Sequence, residues 1–78
     1  MNVVLDELEL YLAAAGVEFR VSEEGAILST NSPIAWEVVP VYQETMKTRV
    51  WKRELWNNAL RTTSPETAFQ YLLENALC

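Results

Sequence analysis

Apolar positions in the first fifteen residues repeat at helical spacing. They share one helical stripe, since successive members are mostly three or four residues apart: Val4, Leu5, Leu8, Leu12 and Ala15. Asn2 is suited to cap the first turn, and Gly16 is a natural left-handed stop. The pattern therefore predicts a helix over residues 3–15.

The next stretch changes to the alternating period of β-strands. Residues 17–21 alternate apolar and charged side chains, and a short turn ending at Gly25 leads to a partner strand over residues 26–30. Residues 34–43 form a third predicted strand whose two faces are both largely apolar. Pro40 lacks an N–H for the strand ladder, so it predicts a sheet edge or a bulge at that point.

The segment 44–61 has two interpretations. As a helix, its apolar side chains scatter around the whole circumference, so the amphipathic case is weak. The strand interpretation is favoured: a turn over residues 44–47, a fourth strand Arg49–Trp56, a tight turn at Asn57-Asn58 and a short fifth strand over residues 59–63. The helix interpretation remains open at this point.

A second helix closes the order of elements. Ser64, Pro65 and Glu66 supply a cap, a proline at the first helical position and an acid near the positive end of the dipole, so a helix is predicted over about 65–77. The expected fold is one small α+β domain spanning residues 1–78, in the order α-β-β-β-β-(β)-α. Its antiparallel four- to five-stranded meander is flanked by an N-terminal and a C-terminal helix in a two-layer sandwich.

Charge is distributed unevenly along this fold. The chain has a net charge of −5, and residues 1–30 alone sum to −5. Residues 47–61 sum to +4, and they include the segment KTRVWKRELW with two of the three tryptophans. The overall balance argues against a uniformly basic nucleic-acid-binding protein, and the local balance marks one basic segment on an acidic body.

That basic segment is the first candidate contact surface. Read as a strand it has no consistent inside, so at least one tryptophan is expected on the sheet face that the helices leave uncovered. Tryptophan and arginine are enriched in binding hot spots. The other interpretation is that the tryptophans are ordinary core and the basic side chains pair with the acidic body. With the apolar second face of the third strand, the predicted contact residues are Trp36, Val39, Val41, Arg49, Trp51, Lys52, Arg53 and Trp56.

Catalytic and metal-binding signatures are missing from the sequence. There is no histidine, which is the commonest acid–base group and metal ligand, and no Gly-rich phosphate loop. Cys78 is the only cysteine and has no histidine partner, so neither a thiol nucleophile nor an intrachain disulfide is expected. We expect no enzyme, no cofactor and no metal. With no signal-peptide or membrane-span pattern, we also expect a cytoplasmic protein that does not engage a membrane.

Three functions remain as hypotheses. The leading one is a small regulatory module that acts by protein–protein contact, self-associating as a homodimer through a sheet face or edge. The alternative is a nucleic-acid-associated regulator that uses a stacking tryptophan and the basic side chains Lys47, Arg49, Lys52, Arg53 and Arg61. A third hypothesis is a viral or mobile-element inhibitor whose acidic surface imitates nucleic-acid phosphate and blocks a host enzyme.

Overall fold

The computed structural model describes residues 3–77, with side chains for all of them except residues 3 and 57–59. The predicted cap Asn2 and the single cysteine Cys78 lie outside the described residues. The elements are α1 (Val3–Ala14), β1 (Phe19–Val21), β2 (Ile27–Ser29), β3 (Trp36–Tyr42), β4 (Thr45–Lys52), β5 (Leu55–Thr62) and α2 (Pro65–Asn75). The predicted α+β order with five strands is confirmed.

The first helix ends as the sequence predicts. Gly16 has φ 74°, a left-handed conformation that costs a glycine little because it has no Cβ. The N–H of Gly16 donates to the carbonyl of Ala13, and that of Val17 donates to the carbonyl of Leu12, which together form a Schellman cap. Ala15 lies past the end of α1 and is exposed, so the last member of the predicted stripe is not part of the core.

The five strands form one antiparallel meander in the order β1-β2-β3-β4-β5. Only Glu37 and Val38 of β3 pair with β2, so the second half of β3 pairs with β4 alone. Pro40 lies in this half, and the register shifts between Pro40 and Tyr42. The prediction of an edge or a bulge at Pro40 is confirmed, because the residue has one free side and adjoins an irregularity.

The strand interpretation of 44–61 is confirmed, but its predicted boundaries are wrong. The chain does not run straight through 49–56: it reverses at Arg53 and Glu54, which have φ 55° and 64°, the signature of a two-residue hairpin turn. The predicted turn at Asn57-Asn58 instead lies within β5. The turn predicted over 44–47 lies instead at residues 43–44, since β3 ends at Tyr42 and β4 begins at Thr45.

The chain turns at Arg53–Glu54 because the β4–β5 strand pairing gained there outweighs the local turn preference of Asn57-Asn58. A turn at Arg53–Glu54 gives two strands of eight residues each, whereas a turn at Asn57-Asn58 leaves the last strand short. The longer ladder satisfies more backbone groups and buries alternate residues of β4. This gain offsets the strain of two non-glycine residues in the left-handed region.

The second helix starts at the predicted cap. The Ser64 hydroxyl accepts a hydrogen bond from the N–H of Thr67 at 3.2 Å, and Pro65 follows at the first helical position. The helix ends at Asn75, two residues before the predicted end.

Both helices pack on the same face of the sheet, as expected for a two-layer sandwich. The core between the layers consists of the buried residues Val4, Leu5, Leu8, Leu12, Ile27, Trp36, Val38, Met46, Val50, Ala68, Leu72 and Ala76. Thr48 is buried beside them. Neither of the two described helices covers the opposite face of the sheet.

Candidate functional site

The strand registers define the uncovered face of the sheet, which we call the open face. Side chains that lie directly opposite one another on paired strands point to the same face. Since Met46, Thr48 and Val50 of β4 are buried under the helices, the residues between them point the other way. Cross-strand pairing then assigns the following described side chains to the open face: Arg20, Leu28, Glu37, Val39, Tyr42, Thr45, Lys47, Arg49, Trp51, Trp56 and Arg61.

Two of the three tryptophans meet on the open face. Trp51 lies directly opposite Trp56, and their ring centroids are 5.4 Å apart with the planes at 75°, an edge-to-face arrangement. Trp51 is 42% exposed and Trp56 is half-buried. Trp36 is 1% exposed and belongs to the core, so it is not a surface contact residue as the sequence suggested.

Arg49 joins the two tryptophans to the rest of the face. Its guanidinium carbon lies 5.0 Å from the centroid of the Trp56 ring, a cation–π distance. Its Nη1 is 3.1 Å from Oε1 of Glu37 on the neighbouring strand. Its Nε is buried without a hydrogen-bond partner among the described residues. We call Glu37, Arg49, Trp51 and Trp56 the Trp cluster.

Beside the Trp cluster, two cations stand opposite each other. Lys47 on β4 pairs in register with Arg61 on β5. Within residues 3–77, neither side chain has an ion-pair partner, and Glu37, the one carboxylate on the open face, is bound to Arg49. Like charges directly opposite on a sheet repel each other. The open face has four cations and one carboxylate, a net charge of +3.

The other predicted contact residues lie in different parts of the molecule. Val39 lies on the open face, and Val41 lies at the bulge, where register assigns it to neither face, and is 41% exposed. Lys52 points to the helical side, where its Nζ donates to Oδ1 of Asn75 at 3.2 Å and ties β4 to α2. Arg53 is exposed in the β4–β5 turn.

The helical layer has the opposite charge. Its ionised side chains are all acidic, Asp6, Glu7 and Glu9 on α1 and Glu66 and Glu74 on α2. Asp6 and Glu9 also line a hollow of about 450 Å³ with Glu23 and Glu24 of the β1–β2 turn. Burial raises the pKa of Glu9 above its ordinary value, and the neighbouring Asp6 charge adds to that rise. The molecule therefore has a positively charged open face on one side and an acidic helical layer on the other.

Sequence reasoning missed some members of both surfaces. Arg20, Leu28 and Tyr42 reach the open face through strand registers that a single sequence does not display. No sequence pattern indicates that Asp6 and Glu9 share a hollow with Glu23 and Glu24. No group of three or more metal-binding side chains occurs in the described part of the chain.

Neither of the two helices within residues 3–77 has the length and apolar composition that a bilayer span requires.

Comparisons of the chain with family models, with curated proteins and with solved structures gave no match.

Proposed function

We propose that the chain is a non-catalytic regulatory module that binds a partner protein on its open face. The observation that supports this proposal best is the Trp cluster, in which an exposed tryptophan, a second tryptophan and an arginine form one connected surface. Buried aromatic and arginine anchors contribute most of the energy of typical protein interfaces.

The rest of the open face defines the chemistry of this partner. Leu28 and Val39 extend the apolar part, which favours a partner surface with aliphatic side chains. Lys47 and Arg61 favour a partner that brings carboxylates to the opposite end. The partner surface is therefore both apolar and acidic.

A symmetric dimer through the open face is the less favoured form of this contact. In a two-fold dimer the same patch meets itself, so a net charge of +3 would face another +3. Such like-charge contact is a common means of excluding a partner. We also propose a cytoplasmic location, since a single cysteine leaves no intrachain disulfide for an oxidising compartment to form.

The test is capture of partner proteins from the native cell extract on four immobilised proteins: the wild type, two charge-reversal variants and Trp51→Ala. Lys47→Glu changes the open face, and Arg53→Glu makes the same change of charge in the exposed turn outside it. We expect an acidic protein that binds the wild type and Arg53→Glu, resists nuclease treatment, and is lost from Lys47→Glu and Trp51→Ala. Equal capture by all four proteins would contradict the proposal.

Single-stranded nucleic acid is a second candidate occupant, and one observation favours it. The unpaired cations Lys47 and Arg61 lie on the same face as the exposed Trp51, which is the combination of phosphate contact and stacking platform that such proteins use. This candidate predicts quenching of tryptophan fluorescence by single-stranded oligonucleotides, with affinity that falls steeply as salt increases. No quenching at low salt would exclude it.

A further inference from the structure

The outward side of α1 has an apolar patch of its own. Leu10 is 72% exposed and Tyr11 is 39% exposed, and with Glu7 and Ala14 they border a shallow hollow of about 400 Å³. We call these four residues the α1 patch. Large exposed apolar side chains grouped in this way mark an interaction site more often than isolated ones do.

This patch is held in place by the neighbouring helix. The ring of Tyr11 stacks on Phe69 of α2, with centroids 5.6 Å apart and planes at 23°. Phe69 in turn packs against the core. The patch therefore needs little ordering when it binds, and this lowers the entropic cost of association.

The α1 patch is both apolar and acidic, as proposed for the surface that binds the open face. It combines aliphatic and aromatic surface with a carboxylate, Glu7, on a helix whose ionised groups are all acidic. The open face combines tryptophan with unpaired cations. Because the helices cover the inner side of the sheet, the outward side of α1 and the open face lie on opposite sides of one molecule.

We propose that the occupant of the open face is a second copy of this chain, which docks its α1 patch there. This inference rests on the proposed function and names the partner. Glu7 of one copy faces the Lys47–Arg61 pair of the next, and Leu10 and Tyr11 lie against the Trp cluster. Charge complementarity selects this arrangement over face-to-face pairing, which opposes like charges.

The geometry of such a contact is head to tail. The two patches differ, so each docked pair leaves one α1 patch and one open face free, and association continues into a ring or an open chain. A stable interface buries about 800 Å² on each partner. Two such patches would take roughly a third of the 4924 Å² accessible surface, so we expect weak, concentration-dependent association.

The experiment is light scattering of the full chain over a concentration series at low and at high salt. The average mass is expected to rise above one chain with concentration and to fall back as salt screens the contact. A mass of one chain at every concentration in low salt would overturn the inference.

Charge reversal tests the head-to-tail arrangement. Lys47→Glu with Arg61→Glu alters only the open face, and Glu7→Lys alters only the α1 patch. Each variant alone is expected to stay monomeric, whereas their equimolar mixture regains the higher mass because the reversed surfaces match. Arg53→Glu is the control that retains association. Association of Glu7→Lys by itself, or no recovery in the mixture, would overturn the inference.

A substitution that leaves the charge unchanged tests the apolar part of the contact. Leu10→Ala removes a side chain that is largely exposed, so it is expected to lower the average mass without affecting folding, as followed by circular dichroism. Unchanged association of this variant would count against the docking of the α1 patch.

Two further outcomes separate this inference from the proposed function. A monomeric chain whose open face captures a different protein would overturn self-docking and leave the proposed function standing. Quenching of Trp51 by an oligonucleotide that also abolishes protein capture would replace the protein occupant by nucleic acid and contradict both.

Discussion

The two faces of the same β-sheet differ in what they do for the molecule. In β4, Met46, Thr48 and Val50 are fully covered by the helices, while the alternate residues Lys47 and Trp51 face outward. The inner face gains stability from burial. The open face retains an opposed pair of cations, which repel each other, and a partly exposed tryptophan. Burial on the inner face maintains the fold, and the exposed groups of the open face are the basis of the proposal that this face binds a partner.

The largest expected effect tests the inner face. Leu72→Ala removes a fully buried side chain from α2 and is expected to lower the free energy of unfolding by about 2–5 kcal/mol. Val41→Ala, at an exposed position outside the helix-covered core, is expected to change it by no more than about 0.5 kcal/mol. Urea denaturation measures both values. Similar losses for the two variants would contradict the placement of Leu72 in a core that excludes Val41.

The next prediction concerns the turn that aligns the Trp cluster. Arg53 and Glu54 both have positive φ, which a type I′ Asn-Gly turn adopts with less strain. Arg53→Asn combined with Glu54→Gly is therefore expected to raise the free energy of unfolding by about 1 kcal/mol.

The matched control for the turn is Glu44→Gly. Glu44 lies in the β3–β4 turn but, unlike Gln43 before it, has no positive φ, so glycine there is expected to destabilise by about 0.5–1 kcal/mol. If the Asn-Gly variant is also less stable than the wild type, the reversal at Arg53–Glu54 is misplaced.

A smaller stabilisation is expected at the cation pair. Lys47→Glu places an acid opposite Arg61, so it is expected to stabilise the isolated protein by about 0.2–1 kcal/mol. The same variant is expected to lose the partner. Denaturation and partner capture on one preparation check both parts, and a variant that is less stable yet still binds would reverse the assignment of roles.

The smallest effect is a pH dependence in the helical layer. The folded-state pKa of Glu9 lies above its unfolded value because of burial and the Asp6 charge, so the native state holds the proton more tightly. The contribution of Glu9 to stability is thus greatest below the unfolded pKa and decreases as pH rises through the folded pKa. Glu9→Gln is expected to flatten that part of the stability curve measured from acid to neutral pH. An unchanged curve would remove Glu9 as its source.

Much of the fold could be predicted from the sequence because its local signals agree. The stripe through Leu5, Leu8 and Leu12, the left-handed stop at Gly16 and the cap at Ser64 each appear where the structure has them. Pro40 marked an irregular part of β3 correctly. These signals act within a few residues, so they can be read without knowledge of the tertiary structure.

The open face could be predicted only in part. Its membership depends on register, and the register depends on a turn at Arg53–Glu54 formed by residues with no strong turn preference. A straight strand over 49–56 would point Trp51 and Trp56 to opposite faces, whereas the turn places both on the open face. Lys52 instead binds Asn75, and Arg53 lies in the turn. Tyr42 and Arg61 join the face through pairing across strands, which no local pattern shows.

If the open face is the binding surface, a bound partner must lie within reach of its side chains. A photo-crosslinking amino acid in place of Tyr42, which is 70% exposed and shares that face with Thr45, tests it most directly. The matched position is Glu23, exposed in the β1–β2 turn. After irradiation in the native cell extract, adducts to a protein are expected from position 42 and not from position 23. Adducts from position 23 alone would place the binding surface away from the open face.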